Sequence, residues 1–142
     1  MRFMILVKAN ADSEAGVLPT HDELAEMGRF NEELVKAGVM LAGEGLHASS
    51  KGYRVRFDGS DRTVVDGPFT ETKELLAGFW LIQVKSPEEA VEWVKRAPFK
   101  EGEVEIRRVA EAEDFAPSDP TGELRQAEER LRQQVEARAA QS

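Results

Sequence analysis

Gly78-Phe79-Trp80-Leu81-Ile82-Gln83-Val84, followed at once by Ser86-Pro87-Glu88-Glu89, is the stretch on which the fold depends. The first part is a near-continuous apolar run, the pattern of a strand buried on both faces. The second part opens a helix: Ser86 is the N-cap, Pro87 occupies the first helical position, and Glu89 stands where a capping-box glutamate belongs. That helix runs to about Arg96, and Pro98 stops it. Beyond it Val104 to Val109 alternates Val/Ile with Glu/Arg, which predicts a last strand with one polar face.

Upstream of this stretch, Tyr53, Val55 and Phe57 alternate with Arg54 and Arg56, Asp58-Gly59 supplies a turn, and Thr63-Val64-Val65 returns. Residues 53–66 are therefore predicted to form a β-hairpin with one wet face. Before it, Val39-Met40-Leu41-Ala42 begins a strand heading towards His47. Thr20-His21-Asp22-Glu23 is a capping box, and Leu24, Met27, Phe30, Leu34 and Val35 recur at helical spacing up to Gly38. Arg2 to Lys8 is a first strand, joined to that helix by a loop ending in Pro19.

The order is β-α-β, an inserted hairpin, then β-α-β. That is an α+β, ferredoxin-like split βαβ plan, with two helices on one face of an antiparallel sheet. In this plan the first and third principal strands are central, and Phe3 to Val7 and Phe79 to Val84 are apolar on both faces as that requires. Two short helices cover only one face of a sheet. The apolar residues on the other face need a second cover, for which another copy of the chain is the economical choice. The expected assembly is a homodimer whose sheets pack face to face, a dimeric α/β barrel.

Residues 1–115 are expected to be the α+β domain and 116–142 a C-terminal helical extension. In the extension Pro117 and Pro120 mark the break, and Leu124, Leu131 and Val135 form a thin apolar stripe that offers a surface to the domain, to a dimer mate or to a protein partner. The formal charge of −8 opposes binding to phosphate backbones and to anionic membranes. With no cysteine, disulfides, thiolate metal sites and thiol nucleophiles are excluded together. No apolar run approaches the roughly 20 residues of a membrane span, and the expected location is the cytoplasm.

Asp66-Gly67-Pro68-Phe69-Thr70-Glu71-Thr72-Lys73-Glu74, with Gly78-Phe79-Trp80-Leu81-Ile82 after it, resembles the signature of the DGPF-type branch of the YCII-related protein family. Gly43-Glu44-Gly45-Leu46-His47, Arg2 to Lys8 and Ala112-Glu113-Asp114-Phe115 extend the similarity over most of residues 1–115. The resemblance implies a dimeric ferredoxin-like barrel. It also implies a pocket containing a His and an Asp in relatives for which enzyme activity has been suggested, and an association of some relatives with alternative sigma factors. The family's early histidine corresponds to His21, while Lys36-Ala37-Gly38 stands where its acidic partner is expected.

Among the residues able to do chemistry, His47 is the leading candidate, because imidazole suits proton transfer near neutrality and a strand end can point into a barrel mouth. Asp66 and Glu44 are its candidate partners. Asp66 also has a structural reading, as a carboxylate capping the amides of its own turn, with Phe69 as a core anchor. His21, Lys73 and Tyr53 are candidate substrate-binding residues. His21 and His47 show no short ligand spacing, and Gly43-Glu44-Gly45 lacks the context of a dinucleotide loop, so neither a metal nor a cofactor is expected. Ser49 and Ser50 read as linker. Two functions stand side by side: a cofactor-independent enzyme acting on a small organic-acid-like metabolite, and a non-catalytic ligand-binding or regulatory module.

Overall fold

The computed structural model describes residues 1–141. The chain divides into two compact units, Met1–Val109 and Ala110–Ser142.

The first unit contains a four-stranded antiparallel sheet in the order β2-β5-β1-β6, built from β1 (Arg2–Lys8), β2 (Met40–Gly45), β5 (Leu76–Gln83) and β6 (Val104–Arg108). With α2 (His21–Lys36) and α3 (Pro87–Lys95) between its strands, this is the ferredoxin-like order. The two strands that are apolar on both faces, β1 and β5, are the central ones, and polar-faced β6 is an edge. One face of the sheet carries the core. Phe3 and Ile5 of β1 and Trp80 and Ile82 of β5 pack on Phe30 and Leu34 of α2 and Ala90 of α3, all buried. Trp80 meets Phe30 edge-on at 5.5 Å and donates its indole N–H to Asn31 Oδ1 at 2.9 Å, so its polar atom is satisfied within the core. Gly43 leaves room for this ring, since a Cβ there would lie 2.8 Å from Trp80 Cδ1.

Local capping follows the sequence closely. Thr20 Oγ1 accepts from Glu23 N at 3.1 Å, and Glu23 Oε1 accepts from Thr20 N at 3.2 Å. Ser86 Oγ accepts from Glu89 N at 3.1 Å, but the Glu89 carboxylate reaches one residue beyond the box and accepts from Lys85 N at 2.8 Å. The loop before Pro19 is not featureless. It contains a one-turn helix α1 (Ala11–Glu14), closed by reciprocal Asn10 and Ser13 hydrogen bonds. Strand β2 ends at Gly45, short of His47.

The inserted hairpin forms a separate two-stranded sheet, β3 (Tyr53–Asp58) with β4 (Asp61–Asp66). Against the expectation of one wet face, both faces are exposed: Tyr53 and Phe57 each keep 72% of their surface. The hairpin supplies no residue to the buried core of the sheet.

In the second unit a 3₁₀ segment, Ala112–Ser118, is followed by α4 (Glu123–Ala140). Gly122 at the N-cap has no side chain to offer. Buried Asp119 takes over, accepting from Leu124 N at 3.3 Å, from Arg125 N at 3.0 Å and from Arg125 Nε at 3.2 Å. Burial pushes this carboxyl up, but those bonds and the guanidinium charge outweigh it, and the pKa lies below the ordinary aspartate value. Leu124, Leu131 and Val135 are exposed.

Candidate functional site

Strand alternation puts α2 and α3 against one face of the sheet, and the register fixes what lies on the other. Glu44 pairs with Phe79, Phe79 with Leu6, and Leu6 with Glu105, giving one row across all four strands. The next row is Ala42, Leu81, Met4 and Arg107. Met4, Leu6, Phe79 and Leu81 therefore make an apolar floor two strands wide, each of them half-buried. A single carboxylate, Glu44, borders it on the β2 side. On the β6 side lies a charged cluster: Glu105 receives Lys8 Nζ at 3.3 Å and Arg107 Nη1 at 3.2 Å, one on each carboxylate oxygen. The hydrogen bond from Arg107 and the bond and charge of Lys8 hold the Glu105 carboxyl below its ordinary pKa.

The Asp66-Gly67-Pro68-Phe69 turn is held by residues far from it in sequence. Glu14 of α1 accepts from Ser49 N at 3.0 Å and from Ser49 Oγ through a short hydrogen bond. Ser49 Oγ in turn accepts from Phe69 N at 3.0 Å, and Gly67 N donates to Gly52 O at 3.0 Å. The peptide bond between Gly67 and Pro68 is cis. The two bonds from Ser49 keep the Glu14 carboxyl below its ordinary pKa against a weaker opposing effect of burial. Ser49 is thus a clasp, not linker. Asp66 caps nothing in the turn: its carboxylate is exposed and enters no hydrogen bond or ion pair among the described residues. Nor is Phe69 a core anchor. It is half-buried beneath the Arg54 guanidinium, 3.8 Å from its ring centroid.

The remaining site residues are exposed. Tyr53 stands directly across the hairpin from Asp66, so these two candidates share one face of it. His47 follows β2, two residues past its end, and neither it nor Glu44 has a side-chain partner among the described residues. His21 Nδ1 lies 3.8 Å from the Asp22 carboxylate in open solvent on the first turn of α2. Lys73 sits on a 3₁₀ turn, Thr72–Glu74, ahead of β5. Sequence reading missed three residues of note: Glu14, Ser49 and Lys8. Asn10 and Ser13, three apart, were the available signal for α1. Nothing local marks the partner of Glu14, which is 35 residues away.

A model of the YCII-related domain matches residues 1–113. The chain belongs to the YCII-related family. Among relatives, this YCII-related chain is 30% identical over 90 residues to an uncharacterised protein of Rhizobium meliloti (strain 1021), an alignment covering 61% of this chain and 73% of that one. Among solved structures it is similar to 5-chloro-2-hydroxyhydroquinone dehydrochlorinase (TftG) from Burkholderia phenoliruptrix AC1100, in complex with 2,5-dihydroxybenzoquinone. That likeness has a TM-score of 0.45 at 18% sequence identity, over 78% of this chain and 94% of the other.

Proposed function

We propose that this protein, a member of the DGPF-type branch of its family, binds a small organic-acid-like metabolite on the sheet face opposite α2 and α3, that a second copy closes the cleft, and that His47 moves a proton there with Asp66 or Glu44. The observation that carries this reading is the face itself, an apolar floor with ionisable groups at both borders. Ligand sites have this composition: mostly apolar lining with a few polar groups that fix orientation. His47, Glu44 and Asp66 are all exposed and have no side-chain partner to release before engaging a ligand. Imidazole is the side-chain type suited to proton transfer near neutrality. The reaction so described needs no cofactor.

The non-catalytic reading has its own support. No hydrogen bond joins His47 to Asp66 or to Glu44 among the described residues, so a preset dyad is not part of the single chain. In that reading the same cleft senses a metabolite, and the exposed Leu124, Leu131 and Val135 of α4 meet a protein partner, with sigma-factor-dependent transcription as the setting.

A metabolite-library thermal-shift screen on wild type, His47→Ala and Asp66→Ala separates these outcomes, followed by a turnover assay on each hit. The expected result is a hit whose shift falls in both variants and whose conversion is lost with His47→Ala. A hit that binds all three proteins equally refutes the site. Altered binding without turnover in wild type decides for the sensor.

A further inference from the structure

We propose that Lys8 and Arg107 are the anion-receiving end of the cleft on this sheet face, and that the ligand is a monocarboxylic acid with an aromatic or branched apolar body and a neutral, hydrogen-bonding far end. This rests on the ligand-binding reading given above and adds to it the residues that grip the acid and the shape of what they accept.

Two cations share one carboxylate at this border, so the cluster carries a net positive charge in an otherwise acidic protein. Both oxygens of Glu105 are engaged, whereas the ammonium has three N–H donors and the guanidinium five, and each bond to Glu105 uses one of them. The unspent donors suit a second carboxylate, and charge-assisted bonds to it are the stronger kind. The Lys8 side chain is only 21% exposed and that of Glu105 37%, so their charges are screened less than those of a fully solvated pair. The lowered pKa of Glu105 fits a carboxylate that stays ionised between the two cations.

Register supplies the rest. From Lys8 and Arg107 the floor runs over Leu6 and Met4, then Phe79 and Leu81, to Glu44 on the far strand. Three strand spacings, about 14 Å, separate Arg107 on β6 from Glu44 on β2, and two, about 10 Å, separate the Lys8 backbone on β1 from it. An acid gripped at the β6 border lays its body on these four side chains and brings its other end towards Glu44, with His47 three residues further along the chain. A second carboxylate at that end would face Glu44 and be repelled, whereas a hydroxyl or an amide N–H would find an acceptor.

Isothermal titration of the full chain with 3-(4-hydroxyphenyl)propanoate and with its primary amide tests this. Wild type is expected to prefer the acid by at least about tenfold, the scale of one charge-assisted contact. Lys8→Met should abolish the preference. Glu105→Gln frees both cations and should tighten acid binding by about tenfold, a gain that a purely structural ion pair would not produce. Circular dichroism checks that each variant is folded, and Arg107→Gln serves if Lys8→Met is not. Equal binding of acid and amide by wild type, no heat from either at millimolar concentration, or no gain in Glu105→Gln overturns the proposal. If the acid preference persists in His47→Ala and no substrate turns over, the anion site stands and proton transfer by His47 falls.

Discussion

Gly67→Ala is expected to destabilise the first unit by about 3 kcal/mol, read from the midpoint of urea unfolding at unchanged slope. A Cβ at this position would lie 1.7 Å from the carbonyl oxygen of Ser49 and 2.7 Å from its carbon. Both are backbone atoms, so no rotamer change relieves the overlap, and the turn must lift from the 3₁₀ turn Ser49–Lys51. Lifting it breaks the bonds from Gly67 N to Gly52 O and from Phe69 N to Ser49 Oγ, and loosens the hold of Glu14 on Ser49. At roughly 1 kcal/mol net for each hydrogen bond, the two broken bonds and the weakened pair between Glu14 and Ser49 together give the expected loss. Gly45→Ala is the control, since a Cβ there meets nothing within 4 Å. Equal midpoints for the two variants would mean that the clasp does not form.

Ile82→Ala is expected to cost about 2–5 kcal/mol, and Ile82→Val about 0.5–1.5 kcal/mol, on the same unfolding assay. Ile82 is 1% exposed on a central strand, paired with Phe3 on one side and Met40 on the other. The truncation should fall in the upper half of its range. A small apolar cleft of about 10 Å³ is already lined by Ile5, Leu34, Trp80 and Ile82, so the new cavity would enlarge an existing gap. Trp80 is tied to Asn31 and cannot move in freely to fill it. A loss below 1 kcal/mol for Ile82→Ala would show that the core collapses around the site or that Ile82 is not at its centre.

The fold was legible because its signals are local. Two-face apolarity identified β1 and β5 as central, Thr20 with Glu23 and Ser86 with Pro87 marked the helix starts, and the alternation in Val104 to Val109 gave an edge strand. The Asp66-Gly67-Pro68-Phe69 string pointed to the family that matches residues 1–113. The site was less legible because its contacts are not local. Ser49 looked like linker, since its partners are 35 residues before it and 20 after it. The same separation hid the reason for Gly67, which is the approach of the Ser49 backbone and not turn geometry alone. Phe69 read as core by its type, but it lies outside the buried core and the guanidinium of Arg54 covers it. Lys8 read as the end of a strand. Only the pairing of β1 with β6 brings it to Glu105 and makes it part of a charged border.

In the proposed assembly the sheet face opposite α2 and α3, with Met4, Leu6, Phe79 and Leu81 as its floor, is a functional surface closed by a second copy of the chain. Sedimentation equilibrium at micromolar concentration tests it most directly, on wild type and on Leu81→Asp, which places a charge in the middle of that floor. The expected result is a wild-type species of twice the chain mass of 15.8 kDa and a variant that sediments as a single folded chain. Wild type at 15.8 kDa, or a folded Leu81→Asp that remains dimeric, would contradict it.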